Sequence, residues 1–255
     1  MPVELTRRDE FAVMTLNRPE ALNALSFSIL EEIGERLDEV KREDARALII
    51  TGAGDRAFCA GADIKELLGR DMAATKRGVE LGQRVFSKLD ELPMASIAVI
   101  NGFAFGGGLE LAMACTFRLA TATAKVGQPE IKLGLIPGYG GTQRLPRLVG
   151  ESRALEICMT GRTVDADEAL AIGLVNQIVE GDALEAGMVF ARTFSGYSLP
   201  VLGCIREAVT RALDVPVHEG LKIEADLATI AFKTADADEG MRAFADKREP
   251  KFRDA

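Results

Sequence analysis

One histidine, His218, stands in a chain of 255 residues, so no mechanism that needs two imidazoles from the same chain is open to it. The four cysteines, Cys59, Cys115, Cys158 and Cys204, are separated by 56, 43 and 46 residues. That spacing holds neither a CxxC pair nor the density of a disulfide scaffold, so it points to reduced, buried thiols and to no metal site. No segment approaches the roughly 18 uncharged residues that mark a membrane span, and the opening MPVELTRRDE carries charges where a signal peptide needs its apolar run. The expectation is a cytoplasmic protein with no membrane partner. Basic residues are also in deficit: 31 Lys and Arg against 39 Asp and Glu leave a net charge of −8, which argues against nucleic acid as a partner.

Several motifs of nucleotide and ester chemistry are missing as well. No Gly-Lys dipeptide occurs, which excludes a Walker P-loop, and no serine is flanked by glycines as a nucleophile elbow requires. The run Gly138-Tyr139-Gly140-Gly141-Thr142-Gln143 places Gln143 where a dinucleotide fingerprint needs its last glycine.

What is present is an ordinary globular composition, 47% hydrophobic and 27% charged, long enough for one large domain with a sizeable core. Val3 to Thr6 and Phe11 to Leu16 alternate apolar and polar residues around RRDE and predict an opening hairpin. Ser28 with Glu31 matches a capping box, and Ile29, Ile33, Leu37 and Val40 recur at helical spacing. Ala47 to Thr51 and Ser96 to Asn101 read as buried strands, Lys76 to Leu89 as a helix, and Thr116 to Ala120 as a further strand. The stretch after Val126 has glycine or proline every few residues and reads as loop until a helix at Ser152 to Met159. Asp165 with Glu168 forms a second capping box. From Ala183 onward the pattern is amphipathic helix, with breaks near Leu199-Pro200, Val215-Pro216 and Ala235-Asp236. The chain therefore divides into a mixed α/β core, residues 1–190, and a helical region, residues 191–255, whose uncovered faces suit another subunit.

Three segments carry candidate chemistry. Gly106, Gly107 and Gly108 open an apolar helix and are followed, after Leu109, by Glu110. A glutamate there is an ordinary partner of the helix dipole; equally, glycines at a helix start expose N–H groups to an oxyanion, with an acid or base one turn away. Glu130, in Gly127-Gln128-Pro129-Glu130, is either a solvated loop carboxylate or a second acid in an apolar surround. Ala60-Gly61-Ala62-Asp63 places small residues ahead of a helical pattern, where Asp63 suits an N-cap and an N–H stands unobstructed.

Taken together, FCAGADIKE, NGFAFGGGLELAMAC and GQPEIKLGLIPGYGGTQRLPRLVG resemble the three successive signatures of the enoyl-CoA hydratase/isomerase family, also called the crotonase family. EGMRAFADKREPKF resembles the usual family ending, so the likeness covers nearly the whole chain. It implies an α/β fold built as a spiral of strand-strand-helix (ββα) units, with a C-terminal helical region that assembles trimers, commonly paired into hexamers. It also implies an oxyanion hole made by the backbone N–H groups of Ala62 and Gly107. Ala24, Ala60, Ala62, Asp63, Ile64, Lys65 and Gly107 become acyl-CoA contacts. Coenzyme A is then part of the substrate, and no separate cofactor is expected.

By the same resemblance Glu110 and Glu130 occupy both hydratase acid positions. They would hold one water between them, with Glu110 as the base for attack on C3 and Glu130 as the proton donor to C2 of a 2-trans-enoyl thioester. The reaction is reversible hydration in fatty-acid or aromatic-acid breakdown. Two alternatives stay open: a Δ3-Δ2 enoyl-CoA isomerase, which relies on the Glu130 position alone, and a non-catalytic relative that binds acyl-CoA, RNA or a partner. The chain departs from the family pattern at Thr116, where many relatives have aspartate, and at Tyr139, where a smaller residue is common.

Overall fold

In the computed structural model, which describes residues 1–255, the chain builds two sheets. The larger contains β1 (Val3–Arg8), β2 (Phe11–Leu16), β3 (Ala47–Gly52), β5 (Ala95–Ile100), β7 (Phe117–Thr121) and β10 (Gln177–Val179), side by side in that order. All its pairings are parallel except β1 with β2. The smaller contains β4 (Ala57–Cys59), β6 (Phe103–Phe105), β8 (Lys125–Gly127) and β9 (Val164–Asp165). Here β4, β6 and β8 are parallel and β9 closes one edge antiparallel.

The helices between them are α1 (Phe27–Val40), α2 (Ile64–Leu67), α3 (Met72–Ser87), α4 (Gly107–Ala114), α5 (Gly141–Val149), α6 (Glu151–Thr160), α7 (Ala166–Ala171) and α8 (Ala183–Arg192). From β3 onward each turn of chain lays one strand in the large sheet and one in the small sheet. The units β3–β4–α2/α3 and β5–β6–α4 are followed by β7 and β8, so the expected ββα spiral is present.

The parallel strands are apolar on both faces because both are covered. Side chains alternate along each strand: Ala12, Met14, Leu48, Ile50, Ala98 and Ile100 join the large core toward the helices and the second sheet. Their neighbours Phe11, Val13, Ile49, Ile97 and Val99 join a smaller core closed by Met188 and Ala191 of α8. Continuous apolar runs are thus what a doubly covered strand requires.

Local chemistry moves some expected boundaries. Ser26, not Ser28, caps α1, its hydroxyl accepting the Ile29 N–H at 3.1 Å, so the helix starts at Phe27 and Ser28 lies within its first turn. β1 runs on to Arg8, and the turn falls on Asp9, in left-handed conformation. Asp63 and Asp165 cap α2 and α7 as expected. The glycine- and proline-rich stretch after Val126 holds a helix, α5, with Pro146 inside it; the proline forfeits one hydrogen bond, and burial of Leu145 anchors the turn. Only Cys59 and Cys115 are buried, while Cys158 and Cys204 are half-buried, since α6 and the helix that carries Cys204 have one uncovered face. At the departure Thr116, its hydroxyl and N–H bond reciprocally with Ser96 N–H and Oγ, at 3.2 and 3.1 Å.

Residues 191–255 form α9 (Leu199–Arg211), α10 (Val217–Phe232) and α11 (Ala235–Asp246). The proline-marked breaks fall at their starts: Pro200 lies in the first turn of α9 and Pro216 is the N-cap of α10. Neither helix buries a residue. The region is tied to the core by Arg46, whose Nε donates to the Ser195 carbonyl at 2.8 Å and whose guanidinium pairs with Asp254. No helix is long and apolar enough to cross a membrane.

Arg118 locks the end of the spiral: it is buried, and its guanidinium donates to the carbonyls of Leu174 at 2.9 Å and Cys115 at 2.8 Å. Arg118→Ala leaves both carbonyls unpaired beside a cavity, and urea unfolding should show a loss of about 3 kcal/mol.

Candidate active site

The three candidate segments meet because each follows the carboxyl end of one of three adjacent parallel strands. β4 leads into Ala60–Asp63, β6 into Gly106–Glu110 and β8 into Gln128–Glu130. Parallel pairing brings these ends together on one side of the small sheet, the place where open α/β sheets hold ligands.

The glycines make the approach possible. Gly106 has φ of +51°, and a Cβ there would lie 2.9 Å from Glu130 Oε1, so the second carboxylate lies directly over the turn. A Cβ on Gly108 would stand 2.0 Å from the Cys59 carbonyl oxygen, which shows how tightly the start of α4 sits on the end of β4.

Two N–H groups remain free. Leu25 N–H donates to the Gly61 carbonyl and Asp63 N–H to the Leu25 carbonyl, both at 2.8 Å, whereas Ala62 N–H between them meets no protein acceptor. The Gly107 N–H, at the first position of α4, is likewise unpaired. The two backbones are neighbours: a Cβ on Gly61 would lie 3.7 Å from the Gly107 nitrogen.

Glu110 is 1% exposed in a helix whose every residue is buried. Its Oε1 accepts the N–H groups of Tyr139 and Gly141, each at 2.7 Å, while Oε2 accepts none from the protein. Burial dominates its acidity and pushes the carboxyl up to about 7 against the pull of those two N–H groups, with the Glu130 charge adding to the rise. Glu130 begins a short 3₁₀ turn, Glu130–Leu133, and is half-buried; burial raises its pKa too. Gln128, fully buried, stands beside it. With its amide oriented to satisfy both of its ends, its nitrogen donates to Glu130 Oε1 at 2.9 Å and Oε2 at 3.1 Å.

Glu110, Glu130, Ala62 and Gly107 face one site. Ile64 and Lys65 are exposed beside it, and Ala24 and Ala60 are half-buried. Asp63 is engaged inside the protein: its Oδ1 caps Lys65 N–H at 3.2 Å and its Oδ2 pairs with Arg18 at 3.1 Å. His218 is exposed on α10. Gln128, Arg18 and the N–H groups of Tyr139 and Gly141 also hold the site together, beyond the residues expected from the sequence. Of these only Gln128, polar and two residues before a candidate acid, carried a signal in the sequence.

A family model described as enoyl-CoA hydratase/isomerase matches residues 6–255. A crotonyl-CoA hydratase of Syntrophomonas wolfei is 42% identical over 251 residues, covering 97% of this chain and 96% of that protein. A short-chain-enoyl-CoA hydratase of Clostridium acetobutylicum is 39% identical over 248 residues, covering 96% and 95%. Among solved structures, an enoyl-CoA hydratase from Bacillus anthracis superposes with a TM-score of 0.95 at 36% identity, covering all of both chains.

The environment of Glu110 makes stability depend on pH. Between its ordinary value of 4.5 and about 7, the folded chain keeps a proton that the unfolded chain releases, so stability falls as pH rises through that window. Glu110→Gln keeps an acceptor oxygen and removes the ionisation. Urea unfolding across pH 4 to 8 should show the variant gaining on the parent by about 3 kcal/mol; a pH-independent difference would contradict a buried, raised carboxyl.

Proposed function

Because the chain belongs to the enoyl-CoA hydratase/isomerase family, we propose that it is an enoyl-CoA hydratase that reversibly adds water across the C2–C3 double bond of 2-trans-enoyl-CoA thioesters. One observation carries this reading: two carboxylates with raised pKa values flank a pair of unpaired N–H groups at the same strand ends. The thioester oxygen accepts from Ala62 and Gly107 N–H, and these stabilise the negative charge that develops there as C3 is attacked.

Glu110, pinned through Oε1, offers Oε2 to the water. It takes the water's proton as the oxygen bonds to C3, and Glu130 delivers its proton to C2, giving the 3-hydroxyacyl thioester. Two neighbouring buried carboxyls favour sharing one proton, so acid and base titrate as a pair. The reaction proceeds on the substrate's own coenzyme A and uses no separate cofactor. Ala24, Ala60, Asp63, Ile64 and Lys65 border the coenzyme, with main-chain groups and the exposed Lys65 as the points of contact.

Residues 191–255 are the proposed assembly region, joining copies of this chain into trimers or paired trimers. Val209, Leu213, Leu221, Ile230, Phe232 and Phe244 are each more than half exposed there, and packing against further copies would take them out of water. Sedimentation should give a mass three or six times the 27.4 kDa protomer; a monomer would overturn the proposal.

Crotonyl-CoA should lose its conjugated absorbance and gain the mass of one water. A product of unchanged mass with a migrated double bond would instead mark an isomerase, for which Glu130 alone would suffice. Glu110→Gln and Glu130→Gln should each lower turnover about 10²- to 10⁴-fold, and full turnover in either would overturn the assignment.

A further inference from the structure

Tyr139 is the one aromatic residue in the loop that holds Glu110, and its hydrogen bonds run through its backbone: its N–H donates to Glu110 at 2.7 Å and its carbonyl accepts from Arg144 at 3.4 Å. The ring is placed by packing. It stands edge-on to Phe86, with centroids 5.7 Å apart, and fits a notch in α3 left by Gly82, where a Cβ would come within 2.2 Å of the ring. Its other edge lies against Gly107, 3.2 Å from where a Cβ on that residue would stand, next to Leu25. The ring therefore extends from Gly107, which offers an N–H to the thioester oxygen, to Gly82 of α3, while its own backbone grips the carboxylate that acts at C3.

We propose that Tyr139, seated in the Gly82 notch, sets the acyl-length limit of this site and restricts it to short enoyl thioesters. The inference rests on the hydratase reading above, because it takes the carbonyl oxygen to sit at Gly107 and C3 to sit at Glu110. With C1 and C3 held there, a chain continuing past C4 runs into the ring. Removing the ring opens a space bounded by Gly82, Phe86, Leu25 and Gly107, all apolar or without a side chain, which suits further methylenes. Each added pair of methylenes buried in such a space should favour the longer substrate by about tenfold.

The test compares kcat/KM for four-, six- and eight-carbon 2-enoyl-CoAs in the parent enzyme, Tyr139→Phe and Tyr139→Ala. The parent and Tyr139→Phe should both favour four carbons over eight by tenfold or more, because the phenyl ring fills the same notch. Tyr139→Ala should raise the eight-to-four ratio at least tenfold, whatever its absolute rate. An unchanged ratio in a folded Tyr139→Ala, or a parent that processes eight carbons as readily as four, overturns the proposal.

Binding of saturated butanoyl- and octanoyl-CoA to the parent, measured by calorimetry, keeps the question answerable if the alanine variant does not fold. Tighter binding of the shorter chain supports the limit, and equal or tighter binding of the longer one removes it. If the parent binds these thioesters yet hydrates no enoyl-CoA, the hydratase reading has failed, and the binding preference then reports only whether the site itself limits chain length.

Discussion

Everything in the site depends on a carboxylate that the fold forces into its interior. Glu110 rides on α4, a helix with no exposed residue, and such a group is tolerable only if its charge is met or its proton kept. The protein does both. Two N–H groups from the Tyr139–Gly141 loop meet one oxygen, while burial raises the pKa. The other oxygen is left for chemistry, so the same arrangement that makes the group bearable also aims it.

That arrangement reaches outward through the scaffold. The loop can grip Glu110 because α5 starts at Gly141 and is anchored in the core by Leu145. Arg144 on α5 reaches both the Tyr139 carbonyl and Asp90, at 3.4 Å each, linking the loop to the segment that follows α3. The start of α4 can approach β4 and Glu130 only because Gly106 and Gly108 lack side chains. The small sheet in turn sets three loop starts side by side. Its strands β4, β6 and β8 are three residues each, yet their parallel pairing is what turns three distant sequence segments into one site.

Much of this was legible in the sequence. The largely apolar runs at Ala47 to Thr51 and Ser96 to Asn101 read as buried strands, and helix breaks at Pro200 and Pro216 followed from the missing N–H of proline. The signature segments and both candidate acids were visible as residue types in the right order. The small sheet was not visible in the residues themselves, since a three-residue strand such as Ala57–Cys59 is too short to show a period; only the family resemblance implied it. Helix α5 was hidden by the glycines and proline that ordinarily announce a loop.

The sequence by itself determined the chemical inventory: two glutamates, a glycine triplet at the start of an apolar helix and small residues before Asp63, with a single histidine to exclude imidazole pairs. These are properties of residue type and local spacing, and a chain cannot hide them. Only the tertiary structure decided which Glu110 oxygen is held and which is free, that Gln128 braces Glu130, that Asp63 turns inward to Arg18, and that the Tyr139 ring fills a notch made by Gly82. Each of these pairs residues that are brought together by strand pairing or helix packing, and a contact of that kind leaves no periodic or compositional trace along the chain.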